Sequence, residues 1–71
     1  MEKDNLLQKL GNKIRDLRKS KNITQAQLAH SIGKDQQSIQ RLEAGKINPS
    51  FLYLLDIANG LDLSLAELVK E

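Results

Sequence analysis

The stretch from Thr24 to Gly45 constrains the fold more than any other part of this chain, because it encodes two short helices that must cross closely around a glycine turn. Thr24 is a good N-cap and Gln27, three positions on, completes a capping box; Leu28, Ala29 and Ile32 then mark one apolar face. The first of the two helices is expected to end near Ile32. Gly33 stands where a sharp turn needs positive φ, Asp35 caps the second helix, Ile39 and Leu42 are its apolar positions, and Gly45 stops it. Counting from Gln25 as position one, the small Ala29 falls at five, glycine at nine, and buried aliphatics at four, eight, fifteen and eighteen. A steep, close crossing tolerates only a small side chain at the contact, which is the role of Ala29. Gln36, Gln37, Ser38 and Arg41 are left pointing away from the packed side.

The rest of the chain reads as helix as well. Leu7, Leu10, Ile14 and Leu17 recur at helical spacing, predicting a first helix from about Asn5 to Ser20 with Asn22 as its C-cap. Lys46-Ile47-Asn48-Pro49 is a loop, Ser50 caps a fourth helix running to about Asn59, and Gly60 is expected to close it. Ser64 and Glu67 form a second capping box for a short fifth helix reaching about Lys70. The fold class is therefore all-α, a compact five-helix arrangement over residues 1–71 with its core in about 10–68. Leu10, Ile14, Leu17, Leu28, Ala29, Ile32, Ile39, Leu42, Leu54, Ile57, Ala58, Leu61, Leu65 and Leu68 are the expected core. At 71 residues only about 60% of the unfolded surface can be buried, so a partner would help stability.

Side-chain chemistry then narrows the function. A glutamine amide sets one donor beside one acceptor, matching N6 and N7 of adenine in the DNA major groove, and Gln36 and Gln37 stand at a helix start where they would enter it. Arg41, one turn on, suits either a guanine or a phosphate, and Gln40 lies at the edge of the same face. Gln25 opens its helix where amide groups suit a phosphate, with Thr24 beside it. Net charge is only +2, but residues 1–49 carry ten basic side chains against five acidic ones, while residues 50–71 carry Lys70 against Asp56, Asp62, Glu67 and Glu71. The front of the chain would attract a polyanion and the back repel it.

These pieces together resemble the lambda-repressor-like, or Xre/Cro type, helix-turn-helix family of bacterial and phage regulators. The resemblance runs from Leu10 to Leu68 through Ile14-Arg15-Asp16-Leu17-Arg18, Thr24-Gln25-x-x-Leu28-Ala29, Gln36-Gln37-Ser38-Ile39-x-x-Leu42-Glu43-x-Gly45-Lys46, Asn48-Pro49-Ser50, Leu54-x-x-Ile57-Ala58-x-x-Leu61 and Leu65-x-x-Leu68, with the helix-turn-helix at 24–45. Lys34 departs from the small aliphatic or threonine usual after the turn glycine. The resemblance implies base contacts from Gln36, Gln37 and Ser38, and backbone contacts from Lys46 and Asn48. It also implies an ion pair within the domain between Arg18 and Glu43. Lys13 and Lys21 would add long-range attraction.

Phe51-Leu52-Tyr53-Leu54-Leu55 is apolar all round its helix, more than one core-facing stripe needs. Leu52 and Tyr53 are the surplus and, with Phe51, Leu65 and Val69, would form a two-fold interface or stand as ordinary exposed apolar groups; the resemblance favours the homodimer. The expectation is a regulator of double-stranded DNA acting by occlusion, with an antitoxin or adaptor module of the same shape as the alternative. With no cysteine, one histidine and no paired carboxylates, no enzyme, metal site, cofactor or small-molecule ligand is expected. No run nears the roughly 20 apolar residues of a membrane helix, so a cytoplasmic location is expected.

Overall fold

The computed structural model describes residues 3–70 and contains, among them, five helices and no strand: α1 (Lys3–Ser20), α2 (Gln25–Ser31), α3 (Gln36–Glu43), α4 (Phe51–Gly60) and α5 (Leu65–Val69). None of these helices is long and apolar enough to cross a membrane. Apart from α1 they have ten residues or fewer, too short to persist alone in water, so their ends must be satisfied and one face buried.

Four of the N-termini are capped by side chains foreseen from the sequence. Thr24, Asp35, Ser50 and Ser64 accept from Gln27 N, Ser38 N, Tyr53 N and Glu67 N, and the capping boxes of Thr24 with Gln27 and Ser64 with Glu67 are both closed. The hydrogen bonds from the Ser64 backbone and hydroxyl to its carboxylate lower the pKa of Glu67, so this cap holds above the ordinary glutamate range and weakens as pH falls through the lowered value.

The C-termini share one device. After α1, α2, α3 and α4 a residue turns left-handed: Asn22 (φ 60), Gly33 (φ 71), Gly45 (φ 74) and Asp62 (φ 59). The amide following each reaches back to a helix carbonyl, as in Ile23 N to Arg18 O at 3.2 Å and Leu63 N to Ala58 O at 2.8 Å. Gly60 is the last residue of α4, as expected, but it is not the left-handed residue that closes it. Leu61 is the C-cap and Asp62 takes the left-handed position, while the missing Cβ of Gly60 admits Leu28 Cδ1 and Ile32 Cγ2, which would lie 2.7 and 2.8 Å from it.

The core is aliphatic: Ile14, Leu28, Ala29, Ile39, Leu42, Ile57, Ala58, Leu61 and Leu68 are buried, all among the residues expected there. Leu10, Leu17, Ile32, Leu54 and Leu65 are only half-buried against it, joined by Ile23, Ile47, Tyr53 and Leu63, which the periodicity did not mark. Ile23 and Leu63 each follow a left-handed residue, and the turn folds them back onto the core.

α1 crosses α3 at Gly11, where a Cβ would stand 2.5 Å from the Glu43 carbonyl oxygen and 2.7 Å from that of Leu42. Backbone atoms cannot swing aside, so the two helices touch only because residue 11 has no side chain. Gly11→Ala is expected to cost about 1–3 kcal/mol, the range for overpacking, measured by urea denaturation. A variant as stable as the parent would show that the crossing has slack.

Candidate nucleic-acid interface

α3 presents two unlike faces. Ile39 and Leu42 are essentially inaccessible, whereas Gln36, Gln37, Gln40 and Arg41 are exposed, and Ser38 lies half-buried between the two faces. Asp35 accepts from Ser38 N at 2.8 Å and fixes the first turn. Lys34 and Lys46, at either end of the helix, are exposed, as are Thr24 and Asn48.

What holds α3 in place is a buried pair. Arg18 Nε and Nη2 donate to Glu43 Oε2 and Oε1 at 2.6 and 2.9 Å, while Arg18 Nη1 donates to the Ile23 carbonyl at 2.8 Å. Arg18 is 6% exposed and Glu43 4%. The hydrogen bonds to Glu43 raise the Arg18 pKa, burial opposes the rise, and the Glu43 charge adds to it. One chain segment thus ties the end of α1, the turn after it and the end of α3.

Gln25 joins the same cluster, its Nε2 donating to Glu43 Oε1 at 3.0 Å. Its amide was expected to be free for a phosphate; instead it is half-buried and partly committed, because Glu43 has a second lone pair to fill. Two further members of the expected set are also engaged. The Ser38 hydroxyl lies 2.6 Å from Tyr53 Oη, and Tyr53 packs against the core rather than standing surplus on the surface. Leu65 is likewise half-buried on the core. Phe51 and Leu52 are 63% and 70% exposed, and Val69 48%.

Lys34 departs from the family's usual residue after the turn glycine, and the structure gives it a contact. Its Nζ sits 5.2 Å from the centroid of the Tyr53 ring, a cation–π contact between the turn and α4. Nothing in a linear reading pairs residues 34, 38 and 53. Among the described residues no group of three histidine, cysteine or acidic side chains is placed to hold a metal ion.

A family model of the helix-turn-helix, of the Cro/C1 type, matches residues 14–68, and the chain belongs to this family. It superposes on the restriction-modification controller protein C.AhdI from Aeromonas hydrophila with a TM-score of 0.91 at 32% identity, over 96% of this chain and 99% of that one. The clp gene regulator ClgR from C. glutamicum gives a TM-score of 0.85 at 27% identity, over 89% of this chain and 82% of the other. An uncharacterized HTH-type transcriptional regulator of Sinorhizobium fredii, y4dJ, is 35% identical over 60 residues, 84% of this chain and 78% of that protein. The chain is a transcriptional regulator with a helix-turn-helix DNA-binding fold.

Breaking the buried pair from one side leaves a charge without its counter-ion, so Glu43→Ala is expected to destabilise by about 3–5 kcal/mol. Arg18→Met combined with Glu43→Leu should recover much of that loss, since no buried charge is then left unpaired and only the part-buried Ile23 carbonyl and Gln25 amide lose a partner. Chemical denaturation of the single and double variants checks this; a double variant as unstable as the single one would mean the pair is valued for more than its own compensation.

Proposed function

We propose that this chain is a sequence-specific regulator of double-stranded DNA that acts as a homodimer on an inverted repeat and represses by occlusion. The observation that carries the reading is the exposed polar face of α3, Gln36, Gln37 and Arg41, anchored from behind by Arg18 and Glu43 and flanked by Lys34 and Lys46. A helix that only packed against its own neighbours would have no use for bidentate amides at its tip. In this reading Gln36 and Gln37 meet adenine edges, Arg41 meets guanine or phosphate, and Ser38 adds a shorter contact. Thr24, Gln25, Lys46 and Asn48 face the backbone and fix register, Gln25 chiefly through its main-chain N–H.

Two copies would join through the exposed Phe51 and Leu52, with Leu65 and Val69 at the margin, setting their α3 helices about 34 Å apart in successive major grooves. That two such large apolar side chains adjoin on one short helix favours a partner over bare exposure. α2 exposes Gln27, His30 and Ser31 and has no acidic side chain, which favours occlusion over an acidic contact with the transcription machinery. The relatives' descriptions as a controller protein and a gene regulator agree with a regulatory role.

Selection of bound duplexes from a random pool, at stated salt and with the mass of the complex measured, tests the proposal. An inverted-repeat consensus with two chains per duplex is expected; a protein–protein complex with no DNA enrichment would point to an adaptor. Gln36→Ala should relax preference at one position of each half-site by about 1–3 kcal/mol, and equal losses on selected and random DNA would exclude that residue from base reading. Lys46→Ala should weaken binding to all sequences and lower the salt slope by about one per protomer. An unchanged slope would remove Lys46 from the phosphate contacts.

A further inference from the structure

We propose that Tyr53 is a specificity-determining residue that acts at a distance from the bases, by aiming the Ser38 hydroxyl outward from α3. The inference rests on the DNA-reading role of α3 proposed above. The chain's own serines supply the comparison. Ser20 and Ser31 turn back onto their helices, donating to the carbonyls of Leu17 and Leu28 at 2.7 and 2.8 Å, and Ser50 and Ser64 serve as N-caps. Ser38 could do as Ser20 and Ser31 do and donate to Asp35 O. Instead its Oγ meets Tyr53 Oη at 2.6 Å, fifteen residues away on another helix.

The direction of that bond matters. A phenol is far more acidic than an alcohol, so the Tyr53 hydroxyl is the better donor and the Ser38 oxygen the better acceptor. With Tyr53 donating, Ser38 keeps its own proton, and among the described residues its hydroxyl has no hydrogen-bond partner other than Tyr53. That proton is available to an acceptor in the groove such as guanine N7 or O6, or thymine O4. Without the phenol, the serine would donate to its own helix and present only lone pairs.

The tyrosine is itself held on three sides. Its backbone N–H donates to Ser50 Oγ at 3.0 Å in the first turn of α4, its ring packs on the core, and Lys34 Nζ stands over the ring. Asp35 fixes the Ser38 main chain. Both ends of the bond are therefore immobilised before DNA arrives, which is what a preorganised donor requires. Tyr53 also follows the exposed Phe51 and Leu52 in the first turn of α4, so the element that carries the proposed dimer face also bonds α3.

Tyr53→Phe tests this, because it keeps the ring, its packing and its contact with Lys34 and removes only the hydroxyl. Duplex selection is repeated with Tyr53→Phe, Ser38→Ala, the double variant and Gln36→Ala, alongside thermal melting. The expected result is a loss of preference of about three- to tenfold, the range of one hydrogen bond, at one position per half-site in Tyr53→Phe. Ser38→Ala should lose the same position, and the double variant should be no worse than Ser38→Ala alone. The melting temperature of Tyr53→Phe should move by about 5 °C or less. Unchanged preferences in Tyr53→Phe, or an equal loss on selected and random DNA, would overturn the proposal. If Gln36→Ala shifts preference while Tyr53→Phe does not, this inference alone fails; if neither shifts any position, it falls together with the groove-reading role of α3.

Discussion

The bidentate bond between Arg18 and Glu43 is the constraint on which the arrangement of α3 depends. Both groups are almost wholly removed from water, so much of their attraction offsets desolvation and little net stability is gained. The pair contributes geometry. The third guanidinium nitrogen takes the Ile23 carbonyl and the second face of Glu43 takes Gln25, so α1, the start of α2 and the end of α3 are locked at one point. Any rotation of α3 that turned its polar side inward would break two charged hydrogen bonds and leave both ions unpaired. Gly11, two turns from Arg18 on α1, lets the helices come close enough for the pair to form.

The opposite end of α3 is held by weaker but equally specific means. Asp35 caps it, Tyr53 from α4 bonds Ser38, and Lys34 in the turn covers the Tyr53 ring. An eight-residue helix with so little intrinsic stability thus acts as a rigid body because it is fastened at both ends and along its buried face by Ile39 and Leu42. Rigidity of this kind lowers the ordering cost of binding, and leaves the long polar side chains at the tip as the groups that must still settle on a ligand.

Much of this was legible in the residues. Caps declare themselves locally, since Ser, Thr or Asp before an apolar run has few other uses, and all four were placed correctly. The turn glycines Gly33 and Gly45 were legible for the same reason, as was the aliphatic stripe. Gly60 was misread because glycine after a helix can serve either a left-handed turn or a close approach; only the position of Leu28 and Ile32 across the interface decides between them. Ile23, Ile47 and Leu63 lie outside helices, where no period marks burial. Gln25, Ser38 and Tyr53 read as free in the sequence because their partners are fifteen or more residues distant, and side-chain hydrogen bonds of that span leave no trace in a linear pattern.

If the exposed tip of α3 meets nucleobases, its glutamine side chains must register the contact. The most direct measurement is NMR of the uniformly labelled protein titrated with its selected duplex and with a scrambled one of equal length, following the glutamine side-chain amides. The NH2 resonances of Gln36 and Gln37 are expected to shift most on the selected duplex and much less on the scrambled one. Shifts confined to α4 and α5, with those two amides unmoved on both duplexes, would contradict it.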